Sequence, residues 1–99
     1  MNDSRSISEF TAGLQNIERE IISKVRQAGG TISASNFRWH RGKNWIPIPD
    51  AIELQVQLGG REFNARLGRD QVEDSWQHLE RPEVRACVRD CVGTLTRKP

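Results

Sequence analysis

The segment Phe37-Arg38-Trp39-His40-Arg41-Gly42-Lys43-Asn44-Trp45 interleaves aromatic rings with cations. Rings that stack, set beside donors that seek phosphate or carboxylate oxygens, suit two kinds of contact. One is a single-stranded nucleic acid; the other is a protein hot spot, where Trp and Arg are enriched. Trp39 and Trp45 facing each other across a turn would equally build an aromatic cluster that only supports the fold. A second cationic set, Arg81, Arg85 and Arg89, is a candidate anion site. Arg85 and Arg89 stand four apart on an expected helix, where like charges repel by about a few tenths of a kcal/mol, so an acceptor is called for. Either a bound anion or the nearby Glu73, Asp74, Glu80 or Glu83 would serve.

Cys87 and Cys91, also four apart, occupy one helix face as a reactive pair or two metal ligands would. Both also fall within an apolar stripe, where free cysteine acts as a small buried hydrophobe, and zinc would need further ligands from His40 or His78. Asp74 and His78 at i, i+4 could form a proton relay, but adjacent helical positions do not face each other, which leaves Ser75 out of reach as its nucleophile. Gly29-Gly30 and Gly59-Gly60 lack the spacing and the Lys-Ser/Thr of a phosphate loop. Catalysis, a metal, a cofactor and a small-molecule substrate are therefore not expected.

Charge is local rather than global. Fifteen Lys plus Arg against thirteen Asp plus Glu give +2, too little for a chain whose whole surface binds polyanions. No acid occurs between Ile21 and Pro49, which holds Lys24, Arg26, Arg38, Arg41 and Lys43; residues 1–20 sum to −2 and 50–99 to −1. Ninety-nine residues at 35% hydrophobic content imply a single domain with a modest core. Two cysteines make no disulfide framework, and no long apolar run or signal-like segment occurs, so the expected setting is a reducing cytoplasm without membrane contact.

The elements that must position these groups follow from periodicity. Ser6-Ile7-Ser8-Glu9 has capping-box form, and Ile7, Phe10, Leu14, Ile17, Ile21, Val25 and Ala28 recur every three or four residues, predicting a helix over about 6–28 that stops at Gly29-Gly30. Gly13 is its weak link. Residues 31–39 read as a strand interrupted near Ser35-Asn36 by a bulge, and Pro47 and Pro49 restrict 45–50 to an edge or extended loop. Residues 51–58 and 61–67 alternate strictly about Gly59-Gly60. A two-residue primed turn there sets Leu58 opposite Arg61, Val56 opposite Phe63, Leu54 opposite Ala65 and Ile52 opposite Leu67. Helices are predicted over 71–79, with Val72, Trp76 and Leu79 as its apolar face, and over 82–96, opened by Pro82. The class is α+β, a two-layer domain in the order α-β-β-β-α-α.

The order of helix, three strands and helix resembles a double-stranded-RNA-binding domain, but no Lys-Lys cluster opens the helix at Gln71, which Asp70, Glu73 and Asp74 flank. The functional expectation is thus a non-enzymatic protein-interaction module, a small regulator, adaptor or inhibitor. It would act through the basic aromatic turn (Phe37, Arg38, Trp39, His40, Arg41, Lys43, Trp45) and the long first helix. Ile7, Phe10, Leu14 and Ile17 follow a near-heptad spacing suited to a homodimer or a partner protein. The alternative is a nucleic-acid-binding protein in which Arg38, Arg41 and Lys43 meet phosphates while Trp39 and Trp45 stack on bases.

Overall fold

A computed structural model describes residues 3–39 and 49–97, with side chains from residue 7 onward. The elements are α1 (Asp3–Gln27), a 3₁₀ turn (Ala34–Asn36), β1 (Phe37–Trp39), β2 (Ala51–Leu58), β3 (Arg61–Gly68), α2 (Arg69–Glu73) and α3 (Pro82–Thr96). The strands form one antiparallel sheet in the order β1-β2-β3. One sheet face packs on the helices; the other is polar and, among the described residues, open. This is the expected α+β architecture.

α1 begins at Asp3, so Ser6 lies inside the helix rather than capping it. No glycine or proline between Asp3 and Ser6 stops the helix from running back past Ser6. Its end is as the sequence implies. Gly29 takes φ 92°, Gly30 N–H donates to Val25 C=O (2.9 Å) and Gly29 N–H to Arg26 C=O (3.0 Å), the paired bonds of a Schellman cap. Arg26 then reaches over the loop to Ile32 C=O through Nε and Nη2 (3.2 and 3.1 Å).

The β2–β3 hairpin has the register that alternation dictates, Leu58↔Arg61 through Ile52↔Leu67. Gly59 and Gly60 both have positive φ, 57° and 81°, the backbone of a type I′ turn. Ile52, Leu54, Val56 and Leu67 are buried against Phe10, Leu14, Ile17, Ile21 and Val25 of α1 and Val84, Val88, Cys91 and Leu95 of α3 in one core.

Two elements differ from expectation. The strand over 31–39 shrinks to three residues, because Ala34–Asn36 turns as 3₁₀ rather than bulging. Asn36 Oδ1 accepts from Ser33 N–H (3.0 Å), while its Nδ2 donates to Gln57 C=O (2.8 Å) and so stands in for a ladder partner. The helix over 71–79 also shrinks, to Arg69–Glu73, and its N-terminal bond runs from Gly68 N–H to Gln71 Oε1 (2.9 Å). Ser75 Oγ bonds back to Gln71 C=O (2.8 Å), Ser75 N–H and Trp76 N–H bond three residues back, and Asn16 Nδ2 donates to Ser75 and Trp76 C=O (2.9 and 2.7 Å). The helix ends at Glu73, and the Asn16 amide from α1 holds the turn that follows. Trp76 is consequently 44% exposed, rather than sharing an apolar face with buried Val72 and half-buried Leu79.

Candidate cationic groove between the first and last helices

α1 and α3 pack side by side, and their outer flanks with residues 77–79 enclose a groove of about 990 Å³. Its aliphatic surface comes from Leu79, Ala86, Val88 and Val92; its cations are Arg19 and Lys24 from α1, with Arg85 and Arg89 from α3. Helical spacing explains the convergence. Residues 85, 89 and 92 lie on one flank of α3 beside its buried stripe, and 16, 19, 20 and 24 lie on the matching flank of α1.

The charges are unevenly satisfied. Lys24 Nζ lies 3.5 Å from Glu20 Oε2, and Arg89 Nε lies 3.3 Å from Asp90 Oδ1, both exposed pairs of little energetic weight. Among the described residues Arg19 and Arg85 have no hydrogen-bond or ion-pair partner from their side chains. His78, at the groove's end, lies 3.0 Å from Glu80, not beside Asp74, so the Asp74–His78 relay does not form.

Of the expected anion site, Arg85 and Arg89 therefore share the groove, while Arg81 is taken up internally. Its Nη1 lies 2.8 Å from Asp74 and 3.4 Å from Asp70, and its Nε 3.4 Å from Glu83. The hydrogen bond that Arg81 donates to Asp74 leads in holding its guanidinium above its ordinary pKa. Asp74 and Glu83, two of the acids that the sequence offered to Arg85 and Arg89, are thus paired with Arg81 instead.

The basic aromatic turn is only partly in view. His40, Arg41, Lys43 and Trp45 lie outside the described residues. Arg38 is exposed on the open face of the sheet and Phe37 is half-buried on the inner one. Trp39 departs from expectation: it is 7% exposed, and its Nε1–H donates to Glu18 Oε1 at 2.7 Å. A ring buried against α1 offers no surface to a base. The α1 stripe is likewise used by the chain itself. Phe10, Leu14 and Ile17 are buried and Ile7 is half-buried, which leaves no apolar face there for a second copy.

Cys87 and Cys91 are both free and buried. Burial, seconded by Asp90, pushes the Cys87 thiol up to about 11, and burial, seconded by Cys87, pushes Cys91 up to about 12. Neither is a thiolate near neutrality. Among the described residues no three His, Cys, Asp or Glu side chains converge as metal ligands would, and no helix is long and apolar enough to cross a membrane.

Sequence reading missed Asn16 and Arg19 as groove residues. Only an Asn in mid-helix, a poor helix former, hinted at a tertiary role. Compared with protein-family models, curated proteins and solved structures, the chain matches none of them.

Proposed function

We propose that this chain is a non-enzymatic protein-interaction module, a small regulator, adaptor or inhibitor, that holds an acidic amphipathic segment of another protein between α1 and α3. The observation that carries this reading is the groove itself: an aliphatic floor under cationic arms, two of which, Arg19 and Arg85, find no acid among the described residues. An amphipathic helix laid there would set carboxylates against guanidiniums, the strong class of ionic hydrogen bond, and its aliphatic side chains on Val88 and Val92. A nucleic-acid strand would meet the same cations, but among the described residues no Phe, Tyr or Trp lines the groove to stack on a base.

The test is fluorescence anisotropy with a labelled amphipathic peptide carrying Glu along one face and Leu along the other, run beside a labelled oligothymidylate. The peptide is expected to bind, and Arg19→Glu with Arg85→Glu to weaken it about tenfold or more, which converts to about 1.4 kcal/mol. Two results overturn the reading. One is a peptide affinity indifferent to that double variant. The other is oligothymidylate binding in preference to the peptide, with a log–log salt slope of about −2 to −3, as contacts from the groove's four cations to a single strand require.

A further inference from the structure

Among the described residues the sheet ends in an open edge: β2 is paired on both sides, whereas β3 pairs with β2 alone. Next to the Gly59-Gly60 turn, Leu58 and Arg61 form the hydrogen-bonded pair, and pair types alternate from there along the antiparallel ladder. Phe63, Ala65 and Leu67 therefore spend their backbone groups on β2, while Glu62, Asn64 and Arg66 turn theirs outward. Among the described residues those outward groups meet no backbone or side-chain partner. The side chains of all three are exposed on the open polar face. Glu62 is held there by amide donors, Gln57 Nε2 and Asn64 Nδ2, each 2.8 Å away.

We propose that β3 is the pairing edge of a symmetric dimer, in which two copies join antiparallel about a two-fold axis through Asn64 and form one continuous sheet. The occupant of the edge is a second copy because the edge is complementary to itself. An axis at Asn64 sets Asn64 opposite the partner's Asn64, and Glu62 opposite the partner's Arg66, twice by symmetry. All three outward residues of each copy then face outward residues, so every free N–H and C=O among them gains a partner. Axes at Glu62 or Arg66 would oppose like charges, and axes at Phe63 or Ala65 would leave the charged pair out of register. Charges on an edge strand usually discourage pairing; opposite signs four residues apart instead select this one register. On the inner face the same register sets half-buried Phe63 opposite the partner's Ala65, which extends the core across the axis.

This inference does not depend on the groove, and sedimentation velocity from micromolar to millimolar concentration tests it. The wild type is expected to dimerise. Glu62→Arg sets like charges opposite each other across the axis and should raise the dimer dissociation constant about tenfold or more. Adding Arg66→Glu reverses both pairs and should restore the dimer. Glu62→Arg is the cleaner single change, since its neighbour on β2 is the neutral Gln57, whereas Arg66→Glu alone would face Glu53 within the chain. Circular dichroism verifies that each variant is folded. A wild type that stays monomeric throughout, a Glu62→Arg dimer as tight as the wild type, or a double variant that fails to re-dimerise would each overturn the assignment.

Discussion

Gly13 sits in the middle of α1, where alanine is ordinarily about 0.8–1.0 kcal/mol better than glycine. Propensity alone therefore predicts that Gly13→Ala stabilises the chain. The structure reverses the sign. A Cβ on Gly13 would fall inside the van der Waals shell of the Val72 carbonyl oxygen, with the carbonyl carbon at 2.8 Å and Val72 Cγ1 at 3.1 Å. Neither backbone can yield alone. Val72 C=O receives Ser75 N–H at 3.0 Å, and Val72, Phe10 and Ile17 are completely buried. Relief requires α1 and α2 to separate by about an ångström, which forfeits packing at typically 1–3 kcal/mol or more, against the gain of about 1. The balance is a net loss of about 0–2 kcal/mol or more, and each kcal/mol lost should lower Tm by about 4–8 °C in a domain of this size. Gly93 is the internal control: it lies within α3, is exposed, and has nothing within 4 Å of a built Cβ. Gly93→Ala should stabilise by about 0.5–1 kcal/mol. Urea unfolding of both variants, compared at constant m-value, reads the two signs. If Gly13→Ala stabilises as Gly93→Ala does, the close crossing of α1 over α2 is wrong.

Three further outcomes follow from named contacts. Unfolded thiols ionise near pH 9 and the folded ones near 11 and 12, so above pH 9 the unfolded state holds fewer protons. Stability from Cys87 and Cys91 is thus complete below pH 9 and is lost as pH rises toward 11–12, at up to about 1.4 kcal/mol per pH unit per thiol; the Cys87→Ala, Cys91→Ala double variant should lack that alkaline slope. Trp39→Phe removes the donor to Glu18 and should cost about 1–2 kcal/mol. In iodide quenching the emission it removes should be the shielded component, and loss of a quenchable component instead would contradict the burial of Trp39. Asn16→Ala leaves two carbonyls without their donor and should cost about 1–2 kcal/mol. Faster amide exchange at Ser75 and Trp76 is its signature, and unchanged exchange would show that the clamp does not order this turn.

The long helix, the hairpin and the last helix were legible because each is specified locally. Seven apolar residues at helical spacing, a Gly-Gly cap, strict alternation about a Gly-Gly turn and a Pro at the first helical position leave few alternatives. The hairpin register followed residue by residue, since a slip of one would turn Ile52, Leu54 and Val56 to solvent. The middle of the chain resisted for the opposite reason. Ala34–Asn36 turns because Asn36 finds Gln57, and the turn after Glu73 is held by Asn16, fifty-nine residues from the Ser75 whose carbonyl it takes.

The candidate site divides along the same line. Sequence by itself determined which residues are cations, which are apolar and how each repeats along its own helix, because backbone period and side-chain chemistry are local properties. Whether a cation is spent or free was decided only by packing: Arg81 is enclosed by Asp70, Asp74 and Glu83, while Arg85, one helical turn on, faces a groove. The same holds for the aromatics. Trp39 and Trp76 look alike in a string of letters, yet Glu18 draws one into the core and the truncated α2 leaves the other in water. Such outcomes depend on which distant element arrives opposite a side chain, and one-dimensional order carries no direct record of that.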